Sequence, residues 1–310
     1  MNRRDVLKEL GLAAGAFLLP VRRFRRVPPA PRPSESAAPA IPYEVLDRIQ
    51  DEPAAASEVR VENGAPRLRL NGKPVFPIWG MSAGLLDTTK GYHESGIDFL
   101  SVILGLSSAW SGPERYDWSE LDRYLGRLLA LNPDAFFLPR LQLNAPRWWE
   151  DAHRDELVQY GLAVPEREHR MEARLSEGGF DWHAGLDAYD PSLASKVWIA
   201  DASDLLRSYL RHVEGSPLRS RIMGYHLSSA MTSEWHYIGS RYLPDYSGPM
   251  KRKLGPIPSP SARMKTTFGL LRDPEKERKV IEFYRKFHAN TADVLLHFAR
   301  IVKDETERRV

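Results

Sequence analysis

Residues 221–237, RIMGYHLSSAMTSEWHY, hold the side chains best suited to chemistry. A short apolar run, 222–227, has the character of a buried strand. Small and polar residues follow, Ser228, Ser229, Thr232 and Ser233, and then one carboxylate, Glu234, beside Trp235. An acid next to an indole at a strand end suits sugar chemistry. The acid moves a proton, and the indole offers an apolar face to a pyranose ring. The plain alternative is a surface glutamate after a core strand. Four further residues carry latent chemistry. Arg140 sits inside the apolar run AFFLPRLQL, where a charge is costly unless paired. It is expected either to orient a carboxylate or sugar hydroxyls or to form a structural ion pair. His226 places a polar tip on a buried strand, as a site residue or as a hydrogen-bonded core histidine. Trp148 and Trp149 follow Asn144-Ala145-Pro146, so that one indole is a candidate platform while the other packs inside.

A competing chemistry comes from Gly80-Met81-Ser82-Ala83-Gly84, which matches the nucleophile elbow of serine esterases. That motif needs a helix directly after the serine, and helical pattern resumes only near Thr88. The nine histidines include no His-Glu-x-x-His and no tight pair, and Asp181 and His183 stand isolated, so no metal and no cofactor is expected.

The elements that must position these residues alternate between strand and helix. Residues 58–62 and 65–70 alternate apolar and charged side chains around Asn63-Gly64, a hairpin signal. Residues 74–79, 98–106, 135–143 and 222–227 are expected as buried strands. Residues 88–95, 119–131, 192–214 and 274–309 are expected as helices, with a capping box from Ser119 to Asp122 on the second. Two long connections, 144–190 and 238–273, are expected as loops. Nearly uniform apolar strands between helices imply a parallel sheet in an α/β fold. A (β/α)8 barrel and an open doubly wound sheet compete. The first strand has no Gly-x-Gly-x-x-Gly after it, which disfavours dinucleotide binding. Ser82, Trp110, Asn144, Trp148 and Glu234 gather after strand ends, where barrel enzymes hold their sites.

Composition narrows the classes. The 310 residues contain no cysteine, which excludes disulfides, thiol nucleophiles, thiolate metal sites and a lipoprotein anchor. The net charge of +3 is uneven. Residues 1–40 carry eight Lys and Arg against three acids, so the remaining chain is acidic by two charges. A nucleic-acid partner therefore has little support. Arg3-Arg4, with Leu7 and Lys8 behind them, has the spacing of a twin-arginine export signal. The apolar run 10–19 is about half the ~20 residues that span a bilayer, so no stable membrane anchor is expected. Ala38-Pro39-Ala40 has the form of a cleavage site. Residues 1–40 are read as a leader, 41–57 as a Pro, Ala and Ser linker, and 58–310 as the folded domain, exported to the periplasm or beyond.

In this order the features resemble the (β/α)8 glycoside hydrolases around the β-galactosidases. The residues are the hairpin with NGKPVFPIWG, then RLQLNAPRWW, PSLASKVWIAD and GYHLSSAMTSEW. The resemblance covers 58–310. It implies a retaining glycosidase in which Glu234, after the fourth strand, is the acid/base. It implies a carbohydrate substrate for Arg140, Asn144, Trp148, Trp149, His226, Ser233 and Trp235, and it leaves open a homo-oligomer. Ser233 stands where that group commonly has Asn, the residue that touches the sugar 2-hydroxyl. A sugar-binding barrel without catalysis is the alternative, and an esterase using Ser82 the more distant one. In the group resembled, the nucleophile follows the seventh strand, whereas only about the first four βα units are read here. The expectation is an N-terminal part of a longer barrel, inactive alone, with open apolar edges.

Overall fold

The computed structural model describes residues 43–82, 86–164, 175–176, 179–180, 190–229, 234–237 and 240–306. The leader expected at 1–40, together with Ser233, Asp181 and His183, lies outside them. Residues Ala40–Val310 form one compact unit. The chain enters it through helix α1, Tyr43–Ile49. This corrects the linker expected over 41–57. Val45, Leu46 and Ile49 recur at helical spacing and pack into the core, which outweighs the surrounding prolines and alanines.

Strands β1 (Ser57–Glu62), β2 (Ala65–Leu70) and β3 (Lys73–Val75) make an antiparallel sheet. Asn63 and Gly64 both take positive φ, 53° and 77°, in the two-residue turn expected there. The run 74–79 is not one buried strand. Phe76 is 82% exposed and Ile78 57%, and the chain leaves β3 before re-entering as β4, Trp79–Ser82. Pro74 and Pro77 each remove a ladder donor, which favours the break.

Helix α2 (Leu86–Glu94), β5 (Phe99–Gly105), the small ribbon β6 (Trp110–Gly112) and β7 (Arg115–Tyr116), helix α3 (Ser119–Leu131) and β8 (Phe136–Gln142) follow. The expected capping box is absent. Trp118 holds the cap position, and Asp117 Oδ1 instead accepts the N–H of Ser119. Beyond the short helix α4 (Arg147–Ala152) and the two-residue strands β9 (Leu175–Ser176) and β10 (Gly179–Phe180) comes α5, Lys196–Glu214, capped by Ser195 Oγ on the N–H of Trp198. Strand β11 is His226–Ser228. The connection expected as loop over 238–273 contains α6 (Gly248–Leu254) and α7 (Pro260–Met264), and α8 spans Arg278–Thr306.

The main sheet has the order β11-β8-β5-β4, with every pair parallel. Strand order therefore follows chain order without reversal. This is the α/β arrangement of successive βα units that a barrel requires, and it lacks the switch point of a doubly wound sheet. The sheet's two faces differ. Leu100, Val102, Leu104, Phe137 and Leu141 are fully buried among α3, α5 and α8. The alternate positions Phe99, Ser101, Phe136, Leu138 and Arg140 are only half-buried. The strands expected as buried are thus fully covered on one face and only partly on the other. Helices cover one side, while the three-stranded sheet covers the other near the strand starts, where Leu68 and Val75 pack against Phe99, Phe136 and Met223.

The helices α5 and α8 run parallel. Leu193 just before α5, Ser203 and Arg211 meet Asn290, His297 and Glu305 in turn. Tyr209, Tyr225 and Tyr237 are among the tyrosines buried in the core. Burial pushes each phenol above its ordinary value, aided by Asp122 at Tyr209, by Tyr209 at Tyr225 and by Asp245 at Tyr237. A raised folded-state value favours the neutral phenol. The stability it contributes is thus complete below the unfolded value of about 10 and is lost as pH rises above it. Tyrosinate absorbance is expected to show these three ionising only as the fold opens. A smooth titration of all twelve tyrosines in folded protein would contradict this.

Candidate active site at the strand ends

The rim of the main sheet is built by parallel register. Ile103, Arg140 and His226 stand side by side in one row, and Gly105, Gln142 and Ser228 form the next row toward the C-terminal ends. Arg140 is half-buried, and its Nε is shielded from solvent with no hydrogen-bond partner among the described residues. No carboxylate is recorded in an ion pair with it, so the structural ion pair considered for this position is not seen among the described residues. His226 is exposed beside it. Partial burial, then the Arg140 charge, lowers its imidazole below the usual value. The row thus pairs a fixed cation with an imidazole that stays neutral near pH 7, a surface that suits hydroxyl and anionic oxygens.

Glu234 lies in the loop directly after β11. Its side chain is 60% exposed, and His236 Nδ1 is 3.8 Å from its carboxylate. The residue after it is an anchor. Trp235 packs its ring 6.0 Å from Phe298, donates its indole N–H to the carbonyl of Leu227 at 2.9 Å, and bonds its backbone N–H to Ser229. Trp235 thus holds the loop to the core while Glu234 faces water. His236 had no part in the sequence reading. The spacing Glu-x-His was visible, but nothing local marked the imidazole as a neighbour of the acid.

The tryptophan pair after β8 divides as the alternatives allowed. Trp149 is fully buried, donates to Asp201 Oδ2 at 2.7 Å and stacks on His153 at 4.4 Å, so it presents no face to a ligand. This corrects its candidacy as a substrate contact. Trp148 stays half-buried, bonded to the Trp110 carbonyl and edge-on to the Trp110 ring at 5.3 Å. Asn144 is half-buried two residues past β8. Ser82, the esterase candidate, is the last residue of β4 and pairs with Val102, and α2 begins only at Leu86. Residues 83–85, between that strand and the helix, lie outside the described residues.

No family model and no curated protein matches this sequence. Among solved structures, the chain is similar to a β-galactosidase from the psychrophilic Marinomonas ef1 (TM-score 0.46, 11% identity, 76% of this chain and 36% of that one). It is similar also to a β-galactosidase from Bacillus circulans sp. alkalophilus (0.44, 13%, 74% and 35%). A third is the catalytic domain of a β-amylase from Paenibacillus polymyxa (0.44, 12%, 74% and 64%). The chain spans about a third of the length of the two β-galactosidases.

Proposed function

We propose that the rim of this sheet binds a carbohydrate and that Glu234 is the acid/base of a retaining glycoside hydrolase acting on β-galactosides or related glycans. The observation that carries the reading is the place of Glu234: an exposed carboxylate in the loop leaving the fourth parallel strand, eight residues after His226 of the Arg140–His226 row. The ends of parallel strands are where βα-barrel enzymes place catalytic groups. In this reading Glu234 protonates the leaving oxygen and later activates water. Retaining enzymes pair such an acid with a nucleophilic carboxylate about 5 Å away, a role this reading leaves unassigned.

The test uses the longest natural product that contains these residues. Glu234→Gln is expected to slow aryl β-galactosides with poor leaving groups about a hundredfold. Substrates with good leaving groups, which need little protonation, should be slowed far less in the glycosylation step. Equal rates for wild type and variant on the poor leaving groups would sink the acid/base role. The 60% exposure of Glu234 favours a second reading, a sugar-binding barrel without catalysis. Saturable galactoside binding with no turnover in either protein would select it.

A further inference from the structure

The charge of the rim bears on which carbohydrate it would hold. Within β4, β5, β8 and β11, Arg140 carries the one permanent charge, and no residue of these strands is acidic. Its neighbours on the same face are Ile103 and His226 across the strands and Leu138 and Gln142 along its own. None of them can neutralise it. Its Nε is closed off from solvent, so a ligand does not reach that atom. The side chain as a whole is only half-buried, and neither Nη is closed off or hydrogen-bonded among the described residues. The Nη end therefore opens onto the less covered face of the sheet.

Two features fit this opening to a carboxylate. The first is shape. The paired Nη groups of a guanidinium lie in one plane and donate two parallel hydrogen bonds to the two oxygens of a carboxylate. The second is the balance of charge. His226 is exposed beside Arg140, and partial burial, then the Arg140 charge, keeps its imidazole neutral near pH 7. The row thus offers a single positive charge, which matches one carboxylate better than a doubly charged phosphate. The neutral imidazole is left to bond a neighbouring hydroxyl. A sugar hydroxyl alone would accept from Nη but leave the cation without a counter-charge.

We infer that the rim selects a sugar that carries a carboxylate, a uronic acid, held by the two Nη groups of Arg140 with an adjacent hydroxyl on His226. This rests on the reading of the rim as a carbohydrate site, and it narrows that reading from galactosides at large to glycans with acidic sugars. Arg140 is then a specificity-determining residue and takes no part in the proton transfer assigned to Glu234.

Calorimetric titration of the longest natural product that contains these residues tests this, with D-galacturonate, D-galactose and D-galactose 6-phosphate as probes. Galacturonate differs from galactose only in the carboxylate at C6 and is expected to bind about tenfold tighter or more. Arg140→Gln removes the charge and should bring the two affinities to within about twofold of each other. Arg140→Lys keeps the charge without the fork and should retain only part of the preference. The lysine variant decides the matter if the glutamine variant does not fold. Galactose binding as tightly as galacturonate would overturn the inference and leave the carbohydrate site standing. Tighter binding of the phosphate ester would overturn the assignment of a carboxylate. A galacturonate preference that both variants keep in full would place the carboxylate away from Arg140 and overturn it equally. Binding of none of the three probes would sink the inference and the carbohydrate site together.

Discussion

Replacing Asp245 by alanine is expected to lower the unfolding free energy by about 4 kcal/mol, near the cost of breaking a buried charged contact. Asp245 is fully buried. Its Oδ2 accepts the hydroxyls of Ser192 at 2.6 Å and Tyr237 at 3.0 Å, and its Oδ1 accepts the N–H groups of Ser247 at 2.8 Å and Gln159 at 3.3 Å. The network continues outward, because Ser192 Oγ receives the N–H of Ala194 and Tyr237 Oη that of Leu193. One carboxylate therefore joins four loop segments that share no secondary structure. Alanine would strand those donors in the interior, each at about 1–3 kcal/mol before relaxation. Asp245→Asn keeps an acceptor at one oxygen and should cost about half as much. Urea denaturation of both variants checks the order. A loss under about 1 kcal/mol for alanine would show that the loops are joined by other contacts.

Arg263→Ala should cost about 3 kcal/mol, and Arg263→Lys should recover little of it. The guanidinium is 3% exposed and has no carboxylate partner among the described residues. Its charge is met instead by the carbonyls of Leu243 and Pro244, the hydroxyl of Tyr284, and the rings of Phe283, Tyr246 and Tyr284 at 4.7, 5.1 and 5.1 Å. The Leu243 carbonyl also receives the N–H of Gly161, so Pro244 is the acceptor that the substitution orphans. Lysine brings a point charge where a planar fork contacts three rings and two carbonyls. Thermal unfolding of the two variants tests this, and recovery of most of the stability by lysine would refute the claim that geometry matters more than charge.

Much of the sheet was legible because its signals are local. Asn63-Gly64 declared the hairpin, and the apolar runs around Phe99–Gly105 and Phe136–Gln142 declared strands to within a residue or two. Failures came where an apolar run says that residues want burial but not against what. The stretch 74–79 joins two different sheets, and its apolar side chains stay largely exposed. Arg140 and His226 were both singled out, but their adjacency comes from the register of β8 with β11, across 86 residues of sequence. Glu156, Asp245 and Arg263 carried no local pattern at all. Each sits in a loop or a short helix, and its meaning is its distant partners: Arg252 for Glu156, Ser192 for Asp245, Leu243 for Arg263.

The order of the main sheet also sets a schedule for synthesis. Strands β4, β5, β8 and β11 leave the ribosome in the order in which they pair, so each can dock on its predecessor as it appears. The base of the domain obeys a different clock. There the Ala55 N–H bonds to the Arg219 carbonyl, Ser57 Oγ to Met223, and Glu52 pairs with Arg221. The partners of Ser57 and Met223 are 166 residues apart. At about 5–20 residues per second, the segment before the hairpin waits roughly ten to thirty seconds for its partner to be made. Throughout that interval the apolar ends of β5 and β8, Phe99 and Phe136, lack the Met223 contact that completes their cover.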